Sequence, residues 1–173
     1  MSTATDLKNS IVNYGGDEVS EIGDSPGQFL EWLNQALVNS HDSVCNLFNK
    51  WATDSFTFTV KGYENNVPAD WDGICDMVLY TDSSYTSPYD NVSVKFGVHR
   101  FDGEQPATKT FYRRYRTQPS VYLEMTDTVD EIANPRLKKI IMDEVIAMYL
   151  SAQNDLESGN AEQASLSKSN RNS

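Results

Sequence analysis

The chain has 173 residues, 39% of them apolar, and a formal net charge of −11, which is length enough for one domain with its own core. Its acidity disfavours a general nucleic-acid binder, whose affinity rests on neutralising phosphates, and disfavours an anionic membrane surface. No run of about 18 apolar residues is present to form a transmembrane helix, and no basic-then-apolar leader reads as a secretory signal.

Residues 1–25 contain no Phe or Trp and show no helical period, so they read as a flexible acidic N-terminal tail. Asp24-Ser25-Pro26 then opens a helix, with Ser25 as cap and Pro26 at the first helical position. Phe29, Leu30, Trp32, Leu33, Ala36 and Leu37 recur at helical spacing until Asn39-Ser40 stops them. A second helix is predicted over Asp42 to Trp51, with Val44, Cys45, Leu47, Phe48 and Trp51 on one face. Ser55 to Lys61 alternates strictly, Phe56, Phe58 and Val60 against Thr57, Thr59 and Lys61, as a half-buried strand does. A third helix is predicted after Pro68, carrying Trp71, Ile74, Cys75, Val78 and Leu79.

Residues 81–90 carry turn chemistry throughout. Asn91 to Arg100 alternates as a strand, Asp102-Gly103 signals a turn, residues 107–117 return, and Val121, Leu123 and Met125 make a further strand after Gln118-Pro119-Ser120. Asn134-Pro135 opens the last helix, striped by Leu137, Ile140, Ile141, Val145, Met148 and Tyr149 and fading near Gln153. Residues 152–173, mostly Ser, Asn, Gln, Glu and Ala, read as a disordered polar C-terminal tail. The expected architecture is a single α+β domain over residues 26–151. It has an antiparallel sheet of about four strands covered by three helices, plus a C-terminal helix.

Charge is segregated along this chain. Residues 1–94 hold 3 Lys/Arg against 14 Asp/Glu, residues 95–116 hold 6 against 2, and residues 117–173 hold 5 against 9. The basic segment contains Lys109-Thr110-Phe111-Tyr112-Arg113-Arg114-Tyr115-Arg116, and such a local field selects partners. Lys109, Phe111, Arg113 and Tyr115 share one strand face, Thr110, Tyr112, Arg114 and Arg116 the other. With neither face purely apolar, the strand is expected outside a sheet centre, as a contact surface that also includes His99 and Arg100. The bland alternative is an edge strand guarded by charge. The partner is an acidic protein surface, another copy of the chain included; single-stranded nucleic acid is kept as a disfavoured alternative.

Residues 28–126 resemble the ketosteroid-isomerase-like, SnoaL-like cone-fold superfamily. The residues that carry this are Phe29-Leu30-Glu31-Trp32-Leu33, Asn39 to Phe48, Phe56-Thr57-Phe58-Thr59-Val60-Lys61-Gly62 and the helix from Asp70. The resemblance implies an apolar pocket between helices and a curved sheet, in a family of isomerases, cyclases, dehydratases and many binding modules. In the steroid isomerases an acidic general base lies just before the Gly that ends the first strand; here Thr59-Val60-Lys61 stands there.

No Gly-rich phosphate loop, zinc spacing or nucleophile elbow is present, so no cofactor and no metal is expected. Asp72 and Asp76 read as a solvated helix face, and Cys45 and Cys75 as buried free thiols. His99 beside Asp102, and His41 beside Asp42, read as local hydrogen bonding. The leading expectation is a non-catalytic binding or assembly protein, cytoplasmic, or part of a virion if viral. The alternative is an enzyme or carrier for an apolar small molecule, its pocket lined by Tyr63, His99, Tyr112 and Arg114.

Overall fold

The computed structural model describes residues 1–48, 50–74 and 77–171, those after Ala161 by backbone alone. The readings of Cys75 and Asp76 lie outside the described residues. The fold is α+β, with four α-helices and two three-stranded antiparallel sheets among the described residues. The chain forms two compact units where one was expected. Residues 1–48 and 120–173 make a helical unit, and residues 49–119 make a β unit.

The helical unit contains α1 (Ala4–Gly15), α2 (Pro26–Asn39), α3 (His41–Phe48) and α4 (Pro135–Arg171). The expected N-terminal tail is therefore corrected: it is a helix whose Leu7 and Ile11 are fully buried. The signal is a capping box, in which Thr3 Oγ1 accepts from the Asp6 amide at 3.2 Å and Asp6 Oδ2 accepts from the Thr3 amide at 2.8 Å. The backbone at the start of α1 is also tied down, since the Thr5 amide donates to the Met125 carbonyl and the Val129 amide to the Ser2 carbonyl, both at 2.9 Å. Phe29, Leu33, Leu37, Leu137, Ile141 and Val145 complete the core, and Trp32 meets Tyr149 edge-to-face at 5.5 Å.

Asn134 starts α4 as expected, its Oδ1 accepting from the Arg136 and Leu137 amides at 3.0 and 3.2 Å. The helix does not fade near Gln153 but continues to Arg171, although residues 154–161 are exposed. The strand expected over 121–126 is absent. Asn34 replaces a partner strand: its side-chain amide donates to the Tyr122 carbonyl at 2.9 Å and accepts from the Tyr122 amide at 2.8 Å. Val121 and Leu123 are left exposed.

In the β unit, β1 (Trp51–Thr57), β6 (Thr110–Arg116) and β3 (Val78–Tyr80) form one sheet in the order β1-β6-β3. The strands β2 (Gly62–Asn66), β5 (Val98–Gln105) and β4 (Val92–Lys95) form the other, in the order β2-β5-β4. Three local expectations are corrected here. Among the described residues the helix expected after Pro68 is not formed: Trp71 bridges to Thr117, Ile74 lies in a bend, and Val78 and Leu79 enter β3. The strand expected over 91–100 is a hairpin, because Phe96 and Gly97 both take positive φ, 52° and 76°, and close a two-residue turn between paired Lys95 and Val98. Asp102-Gly103, expected as a turn, lies inside β5, where the register with β2 slips between Gly62 and Glu64; the turn-forming residues are absorbed as a bulge.

Between the two sheets lies a core of Phe58, Leu79, Phe101 and Phe111 with Phe56, Met77, Tyr89 and Val92 against it. Phe101 and Phe111 rings are 4.9 Å apart, and Tyr89 and Phe111 rings 5.0 Å apart.

The N-terminal helix supplies the first test. Leu7→Ala removes a fully buried side chain and is expected to cost about 2–5 kcal/mol, read as a lowered urea midpoint. A change within about 0.5 kcal/mol, the range of exposed positions, would mean that the segment does not belong to the core.

Candidate functional site

The basic strand β6 is the centre of its sheet, where a non-central position was expected. Alternation divides its side chains. Phe111, Arg113 and Tyr115 point into the core and are 0%, 6% and 5% exposed. Two of the three are polar, and each is satisfied inside. Arg113 forms a fork to Asp54 on β1, Nε to Oδ1 at 2.7 Å and Nη2 to Oδ2 at 2.5 Å. Its Nη1 donates to the Asn66 carbonyl of β2 at 2.8 Å, and its guanidinium lies 4.7 Å from the Phe56 ring centroid. The Tyr115 hydroxyl donates to Asp70 at 3.0 Å; burial first, then that hydrogen bond, push its pKa up to about 12.

The outward face differs. Cross-strand register sets Tyr112 between Ser55 and Tyr80, and Arg114 between Thr53 and Val78. Arg116 is buried instead, in an ion pair with Asp72 at 3.2 Å. Arg114 is exposed, its guanidinium 5.4 Å from the Trp51 ring centroid, and among the described residues no carboxylate pairs with it. Tyr85 stands edge-on to Tyr80 and Tyr112 at 5.5 and 6.3 Å. Trp51, Thr53, Ser84, Tyr85 and Arg114 enclose a shallow cleft of about 440 Å³.

Tyr85 is held there by its loop. Asp82 accepts from the Ser87 amide at 2.8 Å and from the Thr86 hydroxyl at 2.7 Å, so the carboxylate folds the loop back on itself and Tyr85 takes φ +56°. Those bonds, the Thr86 hydroxyl foremost, hold the Asp82 carboxyl below its ordinary range.

The remaining expected residues are scattered. Lys109 is half-buried, with its ammonium 5.5 Å from the Phe111 ring. Arg100 is exposed and pairs at 3.1 Å with Glu64, its cross-strand neighbour. Tyr63 is 55% exposed. The four residues expected to line one pocket therefore do not meet: Tyr112 and Arg114 lie on the outward face of one sheet, and His99 lies in the interior between the two. Trp51, Tyr80 and Tyr85 were missed because Trp51 fits a helical stripe and the tyrosines sit in or beside turn-rich sequence. The Asp82-Ser-Ser-Tyr-Thr-Ser87 turn was the available signal.

His99 forms a second locus. It is fully buried, stacked on Phe56 at 6.0 Å, and neither ring nitrogen has a hydrogen-bond partner among the described residues. Asp102, expected beside it, is exposed. Burial foremost, then the nearby Arg113 charge, lower its pKa from 6.5 to about 4, with Asp54 opposing. The ring borders a cleft of about 330 Å³ whose walls include Trp71, Ile74, Met77 and Val94. Among the described residues no group of three or more His, Cys, Asp or Glu is placed to hold a metal ion. No helix among them is long and apolar enough to cross a membrane. No family model matches the chain, and no curated protein matches it.

Two predictions follow from these interior groups. Asp54→Ala leaves Arg113 buried without its fork; because the Asp54 side chain is 35% exposed, the cost is expected near the low end of the buried-pair range, about 3 kcal/mol, by denaturant unfolding. His99 binds its proton more weakly folded than unfolded. Its contribution to stability is therefore complete above pH 6.5 and lost as pH falls toward 4, by at most about 3 kcal/mol. The pH profile of wild type minus His99→Leu should show that loss; parallel profiles would show that His99 titrates normally.

Proposed function

We propose that the chain is a non-catalytic binding or assembly module. Its contact surface is the outward face of the β1-β6-β3 sheet, and its partner is an acidic protein surface, which a second copy of the chain supplies. The observation that carries this reading is Arg114, an exposed guanidinium stacked on exposed Trp51 beside Tyr85, without a carboxylate partner among the described residues. Arg, Trp and Tyr are the residues that most often carry binding energy, and a ring-stacked Arg has already lost part of its freedom before it binds.

Charge supports the choice of partner. The β unit holds 8 Lys/Arg against 9 Asp/Glu, whereas the helical unit holds 6 against 16. The helical unit also contains a groove bordered by Asp17, Glu18, Glu21 and Glu157. An aromatic face carrying the Arg114 guanidinium on one copy and an acidic groove on the next form a heterologous contact, the kind that closes into rings or runs on as filaments. A cytoplasmic setting, or a virion, belongs to this reading.

Light scattering on size-exclusion peaks at about 50 and 500 mM salt, which bracket weak and strong screening, tests the proposal. The expected outcome is a larger species at low salt that dissociates at high salt. Arg114→Glu should weaken association at least tenfold, roughly the loss of one hot-spot residue, without lowering the urea midpoint. A mass independent of salt and of Arg114→Glu would overturn it, and a gain in mass only with single-stranded oligonucleotide would replace the partner.

A further inference from the structure

We propose that the cleft over His99 is a binding site for a small, neutral aromatic alcohol, whose hydroxyl hydrogen-bonds the His99 ring. The site lies wholly within the β unit and stands independently of the outward face. Its volume, about 330 Å³, falls at the lower end of small-molecule pockets. Its walls are apolar or aromatic through Trp71, Ile74, Met77, Val92 and Val94, and among the described residues no carboxylate, Lys or Arg lines it. Such walls favour an apolar body, and the described ones offer a charged ligand no counter-ion. Trp71 offers a ring to pack on, and Met77 a thioether that adapts to an aromatic edge.

The polar specification comes from His99. Buried polar groups are almost always hydrogen-bonded, yet both of its nitrogens lack a partner among the described residues and its ring has no solvent exposure. In either neutral tautomer one nitrogen donates and the other accepts, so a hydroxyl, which does both, suits either nitrogen. The Arg113–Asp54 pair alongside is internally neutralised, so its net charge does not recruit an anion. An orphaned imidazole costs stability that a ligand hydroxyl offsets.

The probe is para-cresol, with toluene as the same ring lacking the hydroxyl. Both are titrated into the full isotope-labelled chain, following the Trp71 indole N–H signal against those of Trp32 and Trp51. The expected result is a saturable shift at Trp71, with para-cresol about tenfold tighter than toluene, the worth of one net hydrogen bond. His99→Leu should bring the two affinities together, and Arg114→Ala should leave their ratio unchanged. Absence of a saturable Trp71 shift, equal affinities on the native chain, or discrimination that survives His99→Leu would each overturn the proposal. The cresol-to-toluene ratio on the native chain decides the matter even if the His99 variant does not fold.

Discussion

The β unit depends on one buried guanidinium. Arg113 sits in the middle of the central strand and is bound by Asp54 of β1, the Asn66 carbonyl of β2 and the Phe56 ring. Those partners come from both sheets, so a single side chain ties them together. A buried ion is tolerated only when its hydrogen-bonding capacity is met with good geometry. Here the fork to Asp54 meets it in the plane where a guanidinium is most demanding. The alignment of β1 on β6 is thereby constrained: a slip of one residue would turn Asp54 to the outside and leave the ion alone.

The same alternation that buries Arg113 exposes Arg114. One strand thus supplies an interior ion pair and an exterior guanidinium from adjacent residues, and the two have opposite fates. The inner one is neutralised by Asp54; the outer one rests on an aromatic ring and keeps its charge available. Arg113 also reaches sideways. Its charge adds to burial, the larger cause, in keeping the His99 ring neutral, with Asp54 opposing it.

Much of this was readable in the residues, and the failures have physical causes. Pro26, Pro135 and the apolar spacing behind them marked α2 and α4 because these signals are local; the expected cap bond forms at Asn134, whereas Ser25 makes no side-chain cap hydrogen bond. The alternation of β6 marked a strand, but not its position, because an Arg paired to a carboxylate 59 residues away looks like a surface Arg until the partner is known. The Phe96-Gly97 turn was hidden by Phe at a positive-φ position, where Asn or Gly is the usual sign. The helix expected after Pro68 failed because Leu79 is claimed by a tertiary pairing with Arg113, which overrides local periodicity. Leu7 and Ile11 stand four apart behind the Thr3–Asp6 box; that helix was legible and was obscured by the polar composition around it. His99 was legible as a strand residue, but its lack of partners belongs to the assembled interior.

The helical unit is built from both ends of the sequence, with the β unit lying between them in the chain. A ribosome makes the chain in one direction, so α1, α2 and α3 emerge long before α4, whose Leu137, Ile141 and Val145 they need as packing partners. The β unit holds its described strands, β1 to β6, within one unbroken segment and has no such wait. Its folding therefore brings the two halves of the helical core from a separation of about seventy residues to the span between its own first and last strands, which shortens the loop that the helical unit must close. The middle of the chain acts as a clasp for its ends.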